Sequence, residues 1–175
     1  MKEVVHVMLS EEEVEAKVVE MAAQIDKDYQ GKTVHLICVL KGSVFFCCEL
    51  AKRITVPVTI DFMSASSYGD DTKSSGKLVI KKDLDESIEG LDCIIIEDII
   101  DSGNTLSLTQ KMLADRNPAS LKLCTLLDKP ARRETEVDVD YTGFTIPDEF
   151  VVGYGLDYAQ KYRNLPYIGI LEIVE

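Results

Sequence analysis

Residues 94–106, IIIEDIIDSGNTL, limit most tightly what this chain can fold into. The opening residues are apolar and β-branched, the composition of a strand covered on both faces. They lead into Glu97 and Asp98, then Asp101, then the small-residue turn Ser102-Gly103-Asn104-Thr105, and then a stretch with helical periodicity. A strand buried on both faces needs helices on either side. The expected fold is therefore α/β: an open, mostly parallel, twisted sheet flanked by helices. In such sheets ligands bind beyond the carboxyl ends of the strands, where the acidic run falls. Carboxylates this close repel one another, which a chain shaped only for stability would avoid. They suit a site that grips hydroxyls, a metal ion or an exchanging proton.

The rest of the chain supplies partners for that strand. Ser10 followed by Glu13 is a capping box and predicts a helix over 11–28, with Val14, Val18, Met21, Ala22 and Ile25 facing inward. Gly31 stops it. Strands are predicted over 33–40, 56–62, 77–82, 91–96, 121–127, 150–152 and 167–174, and helices over 43–53 and 106–116. Residues 64–76 form the one long polar, Gly/Ser-rich stretch and read as a loop serving as a lid or lacking order. Residues 66–75 are expected to be poorly ordered without ligand. No repeat or linker divides the 175 residues, so one domain is expected, and residues 1–9 add at most an edge strand.

Charge and cysteine usage narrow the function. Nineteen Lys and Arg against 31 Asp and Glu leave −12, a poor match for nucleic-acid backbones. No run of about 18 apolar residues exists to span a bilayer, and the start turns acidic too early for a signal or transit peptide. Cys38, Cys47, Cys48, Cys93 and Cys124 form no C-x-x-C pair, and four lie in or beside apolar runs. They read as core thiols in a reducing cytoplasm. With only His6 and His35, a zinc site is not expected. Neither G-x-G-x-x-G nor G-x-x-x-x-G-K-[ST] occurs, which argues against dinucleotide and nucleoside-triphosphate folds.

The turn at 102–105 has the small residues that let backbone amides close around a phosphate at a helix N-terminus, with Ser102 and Thr105 adding hydroxyls. Its plainer reading is a helix start capped by Asp101 or Ser102. Joined to EDIID behind an apolar strand, the segment resembles the signature of the type I phosphoribosyltransferases. The likeness runs through LKGS at 40–43, SSYG at 66–69, EDIIDSGNT at 97–105, LLDK at 126–129 and FVVGYGLDYAQKYRNLPYIG at 150–169. It is nearest to the short bacterial members acting on hypoxanthine or guanine.

That resemblance implies a sheet with a small hood built from the N- and C-terminal segments and a mobile lid at about 64–76. The implied reaction moves the 5-phosphoribosyl group from phosphoribosyl pyrophosphate to N9 of hypoxanthine or guanine, giving IMP or GMP and pyrophosphate. Asp101 matches the general base at purine N7. Glu97 and Asp98 match the acceptors of the ribose hydroxyls, and Ser102, Gly103, Asn104 and Thr105 the cradle of the 5′-phosphate. Lys41 and Gly42, next to an implied cis peptide after Leu40, match the pyrophosphate turn, with Arg163 pairing to the same group. Lys129, Phe150, Val151 and Asp157 match the purine pocket. Asp157, with Glu97 and Asp98, is implied at Mg2+, and Ser67 and Tyr68 in the lid. Relatives are dimers or tetramers, so a homo-oligomer is implied. Taken singly, Lys41, Lys129, Asp157 and Arg163 read as solvated surface charges and Phe150 as a core residue. Two other functions stay open: an RNA-binding regulator on the same fold, which the charge disfavours, and an enzyme acting on xanthine or a pyrimidine.

Overall fold

The computed structural model describes residues 1–68 and 76–175. Strand β1 (Lys2–Leu9) leads to helix α1 (Glu11–Asp28), whose cap is Ser10, accepting a hydrogen bond from the Glu13 amide at 3.1 Å. Then follow β2 (Val34–Val39), α2 (Val44–Arg53), β3 (Val58–Tyr68), β4 (Lys77–Lys82), β5 (Asp92–Ile100), α3 (Asn104–Ala114) and β6 (Ser120–Asp128). A 3₁₀ turn (Pro130–Arg132), β7 (Tyr141–Thr145), β8 (Val151–Val152) and β9 (Ile168–Val174) complete the order.

Among the described residues the strands form two sheets. The larger runs β4-β3-β2-β5-β6-β7, with every pairing parallel except β3 with β4. The smaller, antiparallel sheet runs β1-β9-β8. Alternation along the central strands divides the core between the two faces of the larger sheet. Leu36, Cys38, Ile94 and Ile96 pack with Val14, Val18 and Ile25 of α1 and Phe46 and Leu50 of α2. Ile37 and Ile95 pack on the other face with Leu106 and Leu113 of α3. From β2 the chain winds outward through α2 to β3; from β5 it winds the other way through α3 to β6. The strand order therefore reverses between β2 and β5, and their carboxyl ends open a crevice.

Three sequence expectations are corrected. The acidic strand does not end at Ile96: β5 continues to Ile100, because β6 offers a parallel partner as far as Asp128. A continuing ladder overrides the break in hydrophobic pattern. Likewise, residues 64–68 are not loop but the end of β3, paired antiparallel with β4 from Ser64↔Lys82 to Tyr68↔Lys77. The remainder of that expected loop, 69–75, lies outside the described residues. Finally, β7 went unread because YTGFT carries a glycine and little apolar periodicity; it forms by pairing along the edge of β6. The cysteines are free, all buried except Cys48, and no described helix is long and apolar enough to cross a membrane.

Candidate active site

The crevice is built by the ends of β2, β5 and β6 and by the segment between β8 and β9. Burial holds the Glu97 carboxyl well above its ordinary pKa, with the neighbouring Asp98 charge adding to the effect. Asp98 is pushed up to about 6, again chiefly by burial, while hydrogen bonding by the Ile99 amide pulls the other way. Two carboxyls held at this cost to ionisation are tuned for a partner that supplies hydroxyls or positive charge.

The turn after β2 lies directly against them. Leu40–Lys41 is a cis peptide, as implied by the resemblance. A Cβ on Gly42 would lie 1.8 Å from Asp98 Oδ2, so glycine here leaves the Asp98 carboxylate in its place. A Cβ on Gly155, whose φ is +100°, would come within 1.9 Å of the Gly42 carbonyl oxygen. These two approaches bring residues 155–163 onto the turn. There Arg163 donates to the Gly155 carbonyl at 2.6 Å and reaches Asp157 Oδ1 and Gln160 Oε1 at 3.2 Å each. Lys41 Nζ donates to the same Gln160 oxygen at 3.2 Å, and the Gln160 amide donates to Asp157 Oδ2 at 2.8 Å. Two cations and a carboxylate thus meet on one glutamine. Gln160 was not singled out from the sequence; only its place in the 150–169 block hinted at it.

Two cavities adjoin these groups. The larger, ≈ 530 Å³, is lined by Asp101, Ser102, Lys129, Phe150, Val151 and Asp157 among others. That volume falls in the range of small-molecule sites. Lys129, only 7% exposed, reaches within 3.5 Å of Asp101 Oδ1. Phe150 is 53% exposed and steadied by an edge contact with Tyr158, ring centroids 5.8 Å apart at 88°. The smaller cavity, ≈ 140 Å³, is lined by Glu97, Asp101, Ser102, Gly103 and Thr105 among others. Ile99, Asp101 and Ser102 belong to both, forming the wall between them.

Helix α3 begins behind the small cavity with Gly103 as its cap in the left-handed conformation, and the Ser102 hydroxyl accepts from the Asn104 amide at 3.2 Å. The cap position expected at Asp101 or Ser102 falls to Gly103, although the Ser102 hydroxyl still meets the first helical amide; both residues line the cavities. The Asn104 side chain turns away, donating to Glu134 at 2.7 Å and accepting from Thr135. From the hairpin, Ser67 shares a 2.8 Å hydrogen bond with Thr105, and Tyr68 is exposed. Structure adds Glu134 and an Arg132–Asp148 pair, 2.8 Å, around the larger cavity. Surface charges of this kind carry no sequence signal.

Lys41, Gly42, Asp98 and Arg163 do not line either cavity; they form the neighbouring corner under Gln160. The described residues hold no cluster of three or more metal-ligating side chains. Glu97, Asp98 and Asp157 thus make no cage of their own, and a hard cation beside any of them would keep waters and take most of its ligands from a bound phosphate ester.

The phosphoribosyl transferase domain model matches residues 8–159. The chain is 50% identical over 177 residues to the hypoxanthine phosphoribosyltransferase of Salmonella typhimurium, covering 100% of this chain and 99% of that protein. It is 52% identical over 166 residues to the hypoxanthine-guanine phosphoribosyltransferase of Bacillus subtilis, covering 95% and 92%. A crystal structure of a hypoxanthine-guanine phosphoribosyltransferase from Bacillus anthracis, with a HEPES molecule in the active site, matches at TM-score 0.92 and 45% identity, covering 98% and 100%. With sequence and backbone agreeing along nearly its full length, the chain belongs to the phosphoribosyl transferase family.

Proposed function

We propose that this enzyme transfers the 5-phosphoribosyl group of phosphoribosyl pyrophosphate to N9 of hypoxanthine or guanine, releasing pyrophosphate and yielding IMP or GMP. One observation carries the reading: Asp101 and Ser102 form a wall shared by a base-sized cavity and a small one at the start of α3. A sugar lying across that wall would present its 5′-phosphate to residues 102–105 and its C1′ to a base beside Asp101.

In this arrangement the purine stacks on the exposed ring of Phe150. Its 6-oxo group takes a hydrogen bond from Lys129, and the Val151 backbone borders its edge. The N9–C1′ bond forms as the C1′–pyrophosphate bond breaks, and the Asp101 carboxylate takes the N7 proton. Glu97 and Asp98 accept from the ribose hydroxyls. Lys41 and Arg163 meet the departing pyrophosphate, Arg163 with a fork suited to phosphate oxygens and the Gly42 backbone giving it close approach. Asp157, with Glu97 and Asp98 near by, would hold Mg2+, which would supply neutralising charge to the polyanion. Lowering over these groups, the hairpin bearing Ser67 and Tyr68 keeps water from the reacting sugar. We further assign the smaller sheet as the hood of a single catalytic domain, a homodimeric or homotetrameric state, and the cytoplasm as its compartment.

The test is a spectroscopic assay with phosphoribosyl pyrophosphate, Mg2+ and each of hypoxanthine, guanine, xanthine, adenine and uracil. Turnover with hypoxanthine or guanine is expected. Turnover confined to another base, or none at all, overturns the assignment.

A further inference from the structure

We propose that Glu3, on the first strand, is a positioning residue for the pyrophosphate end of the site, clamping the 157–163 turn from outside. This role rests on the functional reading above. Its starting point is the backbone of that turn. Ala159, Gln160 and Tyr162 adopt φ of +49°, +68° and +76°. Residues with side chains seldom occupy this region, and three so close together persist only where surrounding contacts over-determine them.

Those contacts come from two directions. Inside, the turn is closed by backbone hydrogen bonds between Tyr158 and Lys161 at 3.0 and 2.9 Å and by the Gln160 amide on Asp157. Outside, Glu3 holds it: Lys161 Nζ donates to both carboxylate oxygens at 2.7 Å, and the Tyr162 hydroxyl donates to one of them. The Lys161 ammonium also lies 5.8 and 5.6 Å from the centroids of the Tyr158 and Tyr162 rings. A flexible lysine is thereby fixed between a carboxylate and two aromatic rings.

The clamp matters because of what the inner side of the turn carries. Gln160 lies directly before Lys161, and its side-chain oxygen receives both Lys41 and Arg163. Releasing Glu3 frees Lys161 and Tyr162, the residues on either side of which Gln160 and Arg163 stand. The spacing of the two cations then loses its outer support, while the 102–105 turn, on a different element, is untouched. Glu3 itself pairs in β1 with Ile173 of β9, so it is a fixed point rather than a mobile arm.

Calorimetric titration of inorganic pyrophosphate with Mg2+ tests this on the full-length protein and its Glu3→Gln, Glu3→Ala and Tyr162→Phe variants. Both Glu3 variants should bind pyrophosphate about tenfold more weakly and raise the KM for phosphoribosyl pyrophosphate in parallel, the size of loss usual for removing a supporting partner. Their kcat and their affinity for inorganic phosphate at the 102–105 turn should stay at the unmodified level. Unchanged pyrophosphate affinity overturns the proposal, and so does an equal loss at both ends, which marks Glu3 as a support of the fold alone. Should the Glu3 variants not fold, Tyr162→Phe decides: a smaller loss in the same direction supports the clamp, and none refutes it. If the unmodified protein binds no pyrophosphate, the functional reading fails first. If it does and the variants match it, only the role of Glu3 fails.

Discussion

Asp98 shows how a single side chain is held against its own preference. Burial raises its pKa to about 6, so at neutral pH the fold carries a charge it would rather see protonated. A carboxyl with a raised folded pKa lends stability below its unfolded pKa and loses it as pH climbs through the folded one. Asp98→Asn should therefore raise Tm at pH 7.5 by about 4 °C in chelator-treated protein, from roughly 2 kcal/mol relieved. The gain should vanish below about pH 4, where the native side chain is neutral in both states; a thermal melt at each pH checks it. His35 has the opposite sign. It is 6% exposed, its Nδ1 lies 2.7 Å from Thr59 Oγ1, and burial lowers its pKa although Asp61 pulls the other way. Its share of stability is complete above the unfolded pKa of about 6.5 and is lost as pH falls from there through the lowered folded value. Urea midpoints should drop between pH 7.5 and 5.5 more steeply in the native chain than in His35→Leu. For Asp101→Asn, turnover should fall about 10²–10⁴-fold while phosphoribosyl pyrophosphate binding is retained, a split that steady-state kinetics with calorimetry resolves.

At the level of elements, close backbone approach organises the crevice. The β2–α2 turn meets β5 at Gly42, and the β8–β9 segment meets that turn at Gly155. Adding one methyl at Gly42 forces it into the Asp98 carboxylate, displacing either that side chain or the turn. Gly42→Ala should lower kcat/KM for phosphoribosyl pyrophosphate by about 10², with initial-rate measurements as the check. The same scale explains which boundaries were misjudged. Leu91 marked the start of the central strand within a residue, because hydrophobic pattern reports burial. The pattern ends at Ile96, yet β5 continues to Ile100 and β3 to Tyr68, since each finds a neighbour that goes on pairing. Ladder hydrogen bonds leave no mark on hydrophobicity.

Across the whole molecule, the chain's two ends make one structure. β1 pairs with β9 from Lys2↔Val174 to Leu9↔Ile168, and β9 with β8 just beyond Phe150. Removing residues 1–9 would strip β9 of the longer of its two partners and expose a new sheet edge. The truncated chain should melt at least about 5 °C lower, self-associate on size-exclusion chromatography and lose activity. By itself the sequence determined the α/β class, the order of helices and strands apart from β7, and the acidic strand with its phosphate-type turn. Each of these is written in short-range periodicity and spacing, which local sterics and burial translate directly. Only the tertiary structure decided that Lys129 reaches Asp101, that Gln160 joins Lys41 to Arg163, and that Glu3 grips Lys161 and Tyr162. Those pairs are separated by 28 to 159 residues, apart from Gln160 and Arg163 at three. Contacts at such range depend on how sheets and turns are stacked in space, which no local pattern encodes.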